Sequence, residues 1–551
     1  MDRRTFCLGL TAGAATNGTP LFGSSHLTNS TIANFGIVDV HTHIFNGTDV
    51  PAIGFVLNAV LREQHEPIIG EGLKNSLLKL VYWIFFRNSL SASEELDLVQ
   101  NREAPADWKT MAEQDRQKVE AKLRVFIEGE ATELESYSTT REQDLALVFQ
   151  IATEVEYGDQ FQRDGENAAR DAFEIVDRIY APGPFEGFVR TFLFPGKIIE
   201  HMRWAGIKTR PRFDILGEMV RLYGGEGRVQ IFTPSIVDLD MWFKTGEQSS
   251  DVLAQIKLYH TMAQKVDEAL ILPFAPFCPL RAALEREVGV STSFDNLNTA
   301  IKEYGFFGVK LYPTMGFRPM NNEDNFDHTA RVPQGLGGAL DHELTLLYEW
   351  CLKNDVPIKA HANNSMAAGH NTGPYAHPSN WAALLSRNKY RNLRVNLAHF
   401  GGFEESEDLW TDQNICDFTN RDWDETIARE INSSSGLYFD LGYWMELADS
   451  TDPYHRCAKA KAQALFNAVP QMYDRALYGS DWSMIGKELA HRSYLENIGH
   501  ELAQPGFERS SWNNIMGLNA LKYLGLDRPG KQFDRLMQFH ANHPVVQEMF
   551  T

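Results

Sequence analysis

A run of five residues near the start of the chain could hold a metal ion. Asp39-Val40-His41-Thr42-His43 closes a short apolar stretch that begins at Gly36 and reads as a strand. Residues two apart on a strand point the same way, so His41 and His43 share a face. Two imidazoles on one rigid strand form a ready grip for a divalent ion. Taken singly such a pair is a weak sign, since histidines are more often structural or solvated. Three further residues strengthen it. His361 ends Pro357-Ile-Lys-Ala-His, His399 ends Arg394-Val-Asn-Leu-Ala-His, and Asp481 ends Ala476-Leu-Tyr-Gly-Ser-Asp. Each is a metal-competent side chain at the same end of a different apolar run. Their convergence predicts a metal site better than it fits chance.

Other residues fall near the same end. Lys310 lies in Gly308-Val-Lys-Leu-Tyr-Pro. Arg318, in the segment after it, could clamp a carboxylate through two parallel hydrogen bonds; the alternative is a surface arginine. His370 and His377 occupy a long loop that could line the same mouth. Asp39, two residues before His41, is expected to support the base of the site or one of its ligands.

The elements that must carry these residues repeat. Eight short β-branched or apolar runs start near residues 36, 229, 270, 308, 357, 394, 436 and 476. Helical patterns such as 253–268 and 340–354 separate most of them. Strands alternating with helices predict a parallel sheet closed as a (β/α)8 TIM barrel. Barrel active sites lie at the C-terminal ends of the strands, where all the candidates sit. One interval does not fit, because the first strand ends near 43 and the second begins near 228. The spacing predicts a first strand within 31–47 and a large, mostly helical insertion over 48–225. The rest of the barrel is expected over 226–526, and a C-terminal extension over 527–551. Within the insertion, Ser91 and Glu94 have the capping-box spacing. Amphipathic helices are expected at 111–130, 142–156 and 167–180. The apolar run at 77–86 is too short to span a bilayer; it reads as a buried lid helix, or as an apolar channel or interfacial anchor.

Composition bounds the function. The net charge of −21 argues against nucleic acid and anionic membranes as partners. A mean hydropathy of −0.33 argues against a polytopic membrane protein, so no integral membrane segment is expected. With 43% hydrophobic residues over 551 positions, the chain can bury a large core. The five cysteines form no CxxC pair and read as buried free thiols. Arg3-Arg4 precedes a short, weakly apolar stretch with Ala12-Gly13-Ala14 after it. Residues 1–30 therefore read as a twin-arginine export signal with a disordered lead, and the periplasm as the expected compartment. The alternative is a cytoplasmic protein with a plain basic start.

The full pattern resembles the amidohydrolase superfamily of metal-dependent TIM-barrel enzymes, and within it the amidohydrolase-related branch that also holds non-oxidative decarboxylases. The resemblance rests on Val38-Asp-Val-His-Thr-His, Val395-Asn-Leu-Ala-His-Phe-Gly-Gly, Tyr478-Gly-Ser-Asp-Trp and the helix start Asn514-Ile-Met-Gly-Leu-Asn-Ala. It covers residues 35–47 and about 228–526 and leaves out the insertion. It implies that His41, His43 and His361 bind a divalent metal, zinc foremost. Asp481 is then both a ligand and the general base toward water, and His399 binds a second metal or acts on the substrate. One ion is implied, or two if Lys310 is carboxylated and bridges them; the alternative is a lysine that meets the substrate or a barrel carboxylate. The implied activity is hydrolysis of a small-molecule amide, ester or lactone. The alternative is non-oxidative decarboxylation or C–C cleavage of an aromatic or unsaturated carboxylic acid. Dimers are common among such proteins, so a homodimer is an expected assembly.

Overall fold

The computed structural model describes residues 36–51, 89–100, 207–208, 210–225, 227–243, 250–323, 335–364, 372–401, 423–432, 434–452, 454–486, 488 and 490–550. The expected export signal, the apolar run at 77–86, the helices at 111–130, 142–156 and 167–180, and His370 lie outside these residues.

Strands occur at all eight expected places. They are β1 (Ile37–Thr42), β2 (Val229–Pro234), β3 (Leu270–Ile271), β4 (Phe274–Pro276), β5 (Gly308–Leu311), β6 (Ile358–His361), β7 (Val395–Ala398), β8 (Leu437–Asp440) and β9 (Ala476–Leu477). The third expected strand is split into β3 and β4 around Leu272-Pro273, because proline has no N–H to give to a ladder. Every strand is buried along its whole length. Their polar members, among them Asp39, His41, Lys310, Lys359, His361 and Asn396, are buried along with the apolar ones. All pairings are parallel, in a sheet of order β1-β2-β3 and another of order β4-β5-β6-β7-β8-β9. The fold is therefore α/β with parallel strands.

Backbone hydrogen bonds link the two sheets at both ends. At one, Leu272 N donates to Phe232 O (2.9 Å) and Ile236 N to Phe274 O (3.0 Å). At the other, Val40 N donates to Tyr478 O (3.0 Å) and Asp481 N to His41 O (2.6 Å). Helices Val252–Ala263 and Gly337–Asn354 lie close to their expected positions. The C-terminal stretch is part of the core. Leu536, Val545 and Val546 pack in one cluster with Val38, Val40, Ile231 and Leu270 of the first strands.

Two described helices fall within 48–225. Ala92–Gln100 starts with the expected capping box: Ser91 N donates to Glu94 Oε2 (2.8 Å), and Glu94 N to Ser91 Oγ (3.3 Å). Arg212 opens the helix Arg212–Tyr223 and is fully buried. Its guanidinium meets Asp49 Oδ1 at 2.5 Å and Glu95 Oε2 at 2.9 Å, and donates to Thr48 and Ser250 as well. This one side chain ties both helices to the segment after β1.

The cysteine reading needs one correction. Cys278 and Cys351 are buried free thiols, but Cys457 is disulfide-bonded. Spacing in the sequence does not determine which thiols meet; the distance between their Cα atoms in the fold does.

Candidate metal centre

β1 delivers Asp39 and His41 on one face, and His43 follows just past its end. His41, His43 and Asp481 are all buried, and each presents one donor atom within 4.8 Å of the others. Asp481 comes from the turn after β9. Its backbone is left-handed (φ 49°), as are those of His399 (φ 70°), Phe400 (φ 49°) and Tyr443 (φ 56°) after β7 and β8. Strained turns of this kind gather where a fold must aim side chains at one point.

Each imidazole is held through its Nδ1. His41 Nδ1 lies 3.1 Å from Asp440 Oδ1, His43 Nδ1 3.0 Å from Ser235 O, and His399 Nδ1 3.0 Å from Gly442 O. An oxygen acceptor at Nδ1 puts the proton there and leaves Nε2 as the lone-pair nitrogen. Burial lowers the pKa of His41 and His43 well below the ordinary histidine value, Lys310 adding to it for both. Both rings are therefore neutral, the form that binds a metal. The packing leaves no slack: a Cβ on Gly442 would fall 2.7 Å from His41 Nδ1, and one on Gly479 2.8 Å from His41 Cβ. Only glycine lets these turns approach so closely.

The carboxylates divide into two roles. Asp440 is buried and accepts from His41, Asn396 Nδ2 (2.6 Å) and the backbone N–H groups of His399 and Gly442. Burial opposes its ionisation, but these hydrogen bonds, with that from His41 among them, outweigh it and hold its pKa well below the usual carboxylate range. Asp481 has no such company. Its Oδ1 is buried, 3.9 Å from His43 Nε2, and has no hydrogen-bond partner among the described residues. Burial pushes its pKa up, against the pull of Lys310. A buried, unsatisfied carboxylate oxygen beside two aimed imidazole nitrogens is costly unless something completes it. The donor set, two nitrogens and an oxygen, fits a divalent ion.

The other expected residues stand around this group. His361 ends β6 and meets His399 instead of joining the tight trio: its Nδ1 is 3.1 Å from His399 Nε2. The His399 ring in turn lies 4.7 Å from the His41 ring. Lys310 is buried on β5 with Nζ 3.3 Å from His41 Nε2 and 4.6 Å from the Tyr312 ring centre. Burial lowers its pKa. Arg318 is half-buried, with its guanidinium 4.8 Å over the Tyr375 ring. His377 caps the helix Pro378–Leu385 by accepting from Ser379 N. Asp39 braces the base, as expected: it accepts from His41 N (3.1 Å), Ser480 N (3.0 Å) and Ser480 Oγ (2.6 Å).

Sequence reasoning missed Asp440, Lys359 and Lys208. Asp440 ends β8 just as the chosen residues end their own strands, and that position was the available signal. Lys359 stands two residues before His361 on the same strand. It donates to Thr233 O (2.8 Å), Thr233 Oγ1 (3.1 Å) and Ser235 Oγ (2.8 Å), beside the carbonyl that holds His43. Lys208 belongs to no readable motif.

The amidohydrolase family profile matches residues 249–526. That span is half of the chain, and the chain belongs to this family of enzymes. The family and the donor set together point to a divalent metal. The match includes His361, His399 and Asp481 but starts after β1, so His41 and His43 enter the site through the fold. No curated protein matches the chain. Among solved structures, an amidohydrolase from Burkholderia multivorans with bound zinc is 11% identical, covering 59% of this chain and 92% of its own at a TM-score of 0.34. A dihydroxybenzoic acid decarboxylase from a Polaromonas species, solved with manganese and 2-nitroresorcinol, is 13% identical, covering 65% and 94% at 0.34. The IDCase of Metarhizium anisopliae is 16% identical, covering 57% and 79% at 0.32.

Proposed function

We propose that the chain is a zinc-dependent hydrolase of a small-molecule amide, ester or lactone, built on a closed (β/α)8 barrel. The backbone hydrogen bonds at both ends of the two sheets support closure. The observation that carries the chemistry is the buried Asp481 Oδ1, without a hydrogen-bond partner among the described residues and 3.9 Å from His43 Nε2. His41, His43 and Asp481 would hold one ion, and His361, which reaches the group through its contact with His399, would be a further ligand. The ion supplies Lewis-acid chemistry, polarising a carbonyl and making water more acidic.

The protein's own groups do the rest. Asp481 takes a proton from the attacking water and later returns it to the leaving group. Asp440 and Ser235 O keep the His41 and His43 rings turned, so that the geometry is set before substrate arrives. His399, partly exposed, meets the substrate, and Arg318 binds a carboxylate where the substrate has one. Burial of the whole group strengthens each charge interaction. Lys310 is an amine against His41 in this reading; its carboxylation would allow a second ion.

Metal analysis joined to a substrate screen tests the proposal. Zinc-loaded protein is assayed against amides, esters, lactones and aromatic carboxylates in ¹⁸O-water. Incorporation of ¹⁸O into product with one equivalent of metal per chain is the expected result. Release of CO₂ without incorporation would replace hydrolysis by decarboxylation. Two equivalents at saturation would reject the single-ion form.

We further propose export through the N-terminal twin-arginine segment. A disulfide at Cys457 suits an oxidising compartment. Replacing Arg3 and Arg4 and fractionating cells tests this; unchanged localisation would refute it.

A further inference from the structure

We infer that Lys208 is a positioning residue for the metal centre, acting on the Asp481 turn through Ser483. The inference rests on the metal reading above. Lys208 is buried at 1% exposure, although it comes from the interval between β1 and β2, far from any strand. Its Nζ donates to Ser483 Oγ and lies 4.1 Å from the centre of the Phe45 ring. Ser483 is two residues past Asp481 in the short helix Trp482–Ile485, and Phe45 is two residues past His43. One ammonium group thus touches both segments that carry the trio.

The main chain of Lys208 is fixed to the same region. Its carbonyl accepts from Gly47 N (2.9 Å) and from Ser89 Oγ (3.3 Å). Among the described residues the Asp481 turn is also tied to the segment after β8, where Tyr443 N donates to Ser480 O (3.2 Å). Asp481 N donates to His41 O, Trp482 N to Ser480 Oγ (3.1 Å), and Trp482 Nε1 to His43 O (3.0 Å). These last three bonds join the turn to β1 or to itself. The Lys208 bond joins it to the interval that precedes the helix Arg212–Tyr223. A left-handed aspartate is strained and keeps its place only while its surroundings over-determine it. Groups that hold a metal ligand in place act on affinity through orientation, without touching the ion. The interval between β1 and β2 would therefore help set the metal site.

The test measures zinc affinity by calorimetric titration of the full chain and of Lys208→Met, Ser483→Ala and the double variant. Lys208→Met keeps an unbranched apolar chain of similar length and removes the ammonium that donates to Ser483 and lies over Phe45. Each single variant is expected to weaken zinc binding about tenfold or more. The double variant is expected to be no weaker than the weaker single, because both changes remove one bond. A folded variant with lower thermal stability and wild-type zinc affinity would show a merely structural lysine and overturn the inference. If Lys208→Met does not fold, Ser483→Ala decides by the same criterion. An unaltered chain that binds no divalent ion would overturn the metal reading, and this inference with it.

Discussion

His41 Nδ1 stands 3.1 Å from Asp440 Oδ1, both side chains are buried, and 399 residues separate them in the chain. This pair fixes which nitrogen of His41 is free to bind. Asp440→Asn keeps the shape but removes the charge that holds the Nδ1 proton. Zinc affinity is expected to fall about 10–100-fold, the usual cost of losing such a partner. Titration against a competing chelator measures it, and unchanged affinity would show that the pair is only structural.

Asp481→Asn should leave the fold intact and still load zinc at saturating metal, though with weaker affinity, because both histidines remain and the amide keeps an oxygen donor. Turnover should drop about 10²–10⁴-fold, the range expected when a positioned proton acceptor is removed. Steady-state rates and metal content on one sample check this. Full activity in the variant would remove Asp481 from the proton-transfer role.

Arg212→Met should destabilise the protein. It leaves Asp49 and Glu95 buried with no cation between them, and breaking a buried pair in this way costs about 3–5 kcal/mol. Chemical denaturation of metal-free protein is the measurement. A midpoint within error of wild type would mean that the network is dispensable.

Stability should depend on pH through His540. Burial in the helix Lys531–His540, with His543 and His260 nearby, lowers its pKa from 6.5 to about 4. The unfolded chain takes up a proton below about 6.5 and the folded chain does not, so folding stability falls as pH drops from about 6.5 to 4. At 1.36 kcal/mol per pKa unit, the contribution is about 3 kcal/mol. His540→Phe, which packs beside Phe307 without titrating, should flatten that part of the profile in metal-free protein. An equally steep decline in the variant would assign the effect to other histidines.

The sequence by itself determined the local parts. Eight β-branched or apolar runs alternating with helical patterns announced parallel strands, since a parallel pair needs a crossover that a helix supplies. Strand alternation placed Asp39 and His41 together, and strand ends marked His361, His399 and Asp481. Ser91 and Glu94 announced their cap because that bond closes within one turn. The tertiary structure decided what depends on distant approach. It made Asp440 the partner of His41, set Lys359 beneath the carbonyl that holds His43, brought Lys208 to Ser483, and joined Cys457 in a disulfide. It also separated His361 from the tight trio and set it against His399. None of these follows from spacing, because a side chain's role is fixed by the atoms that reach it, and those come from segments hundreds of residues away.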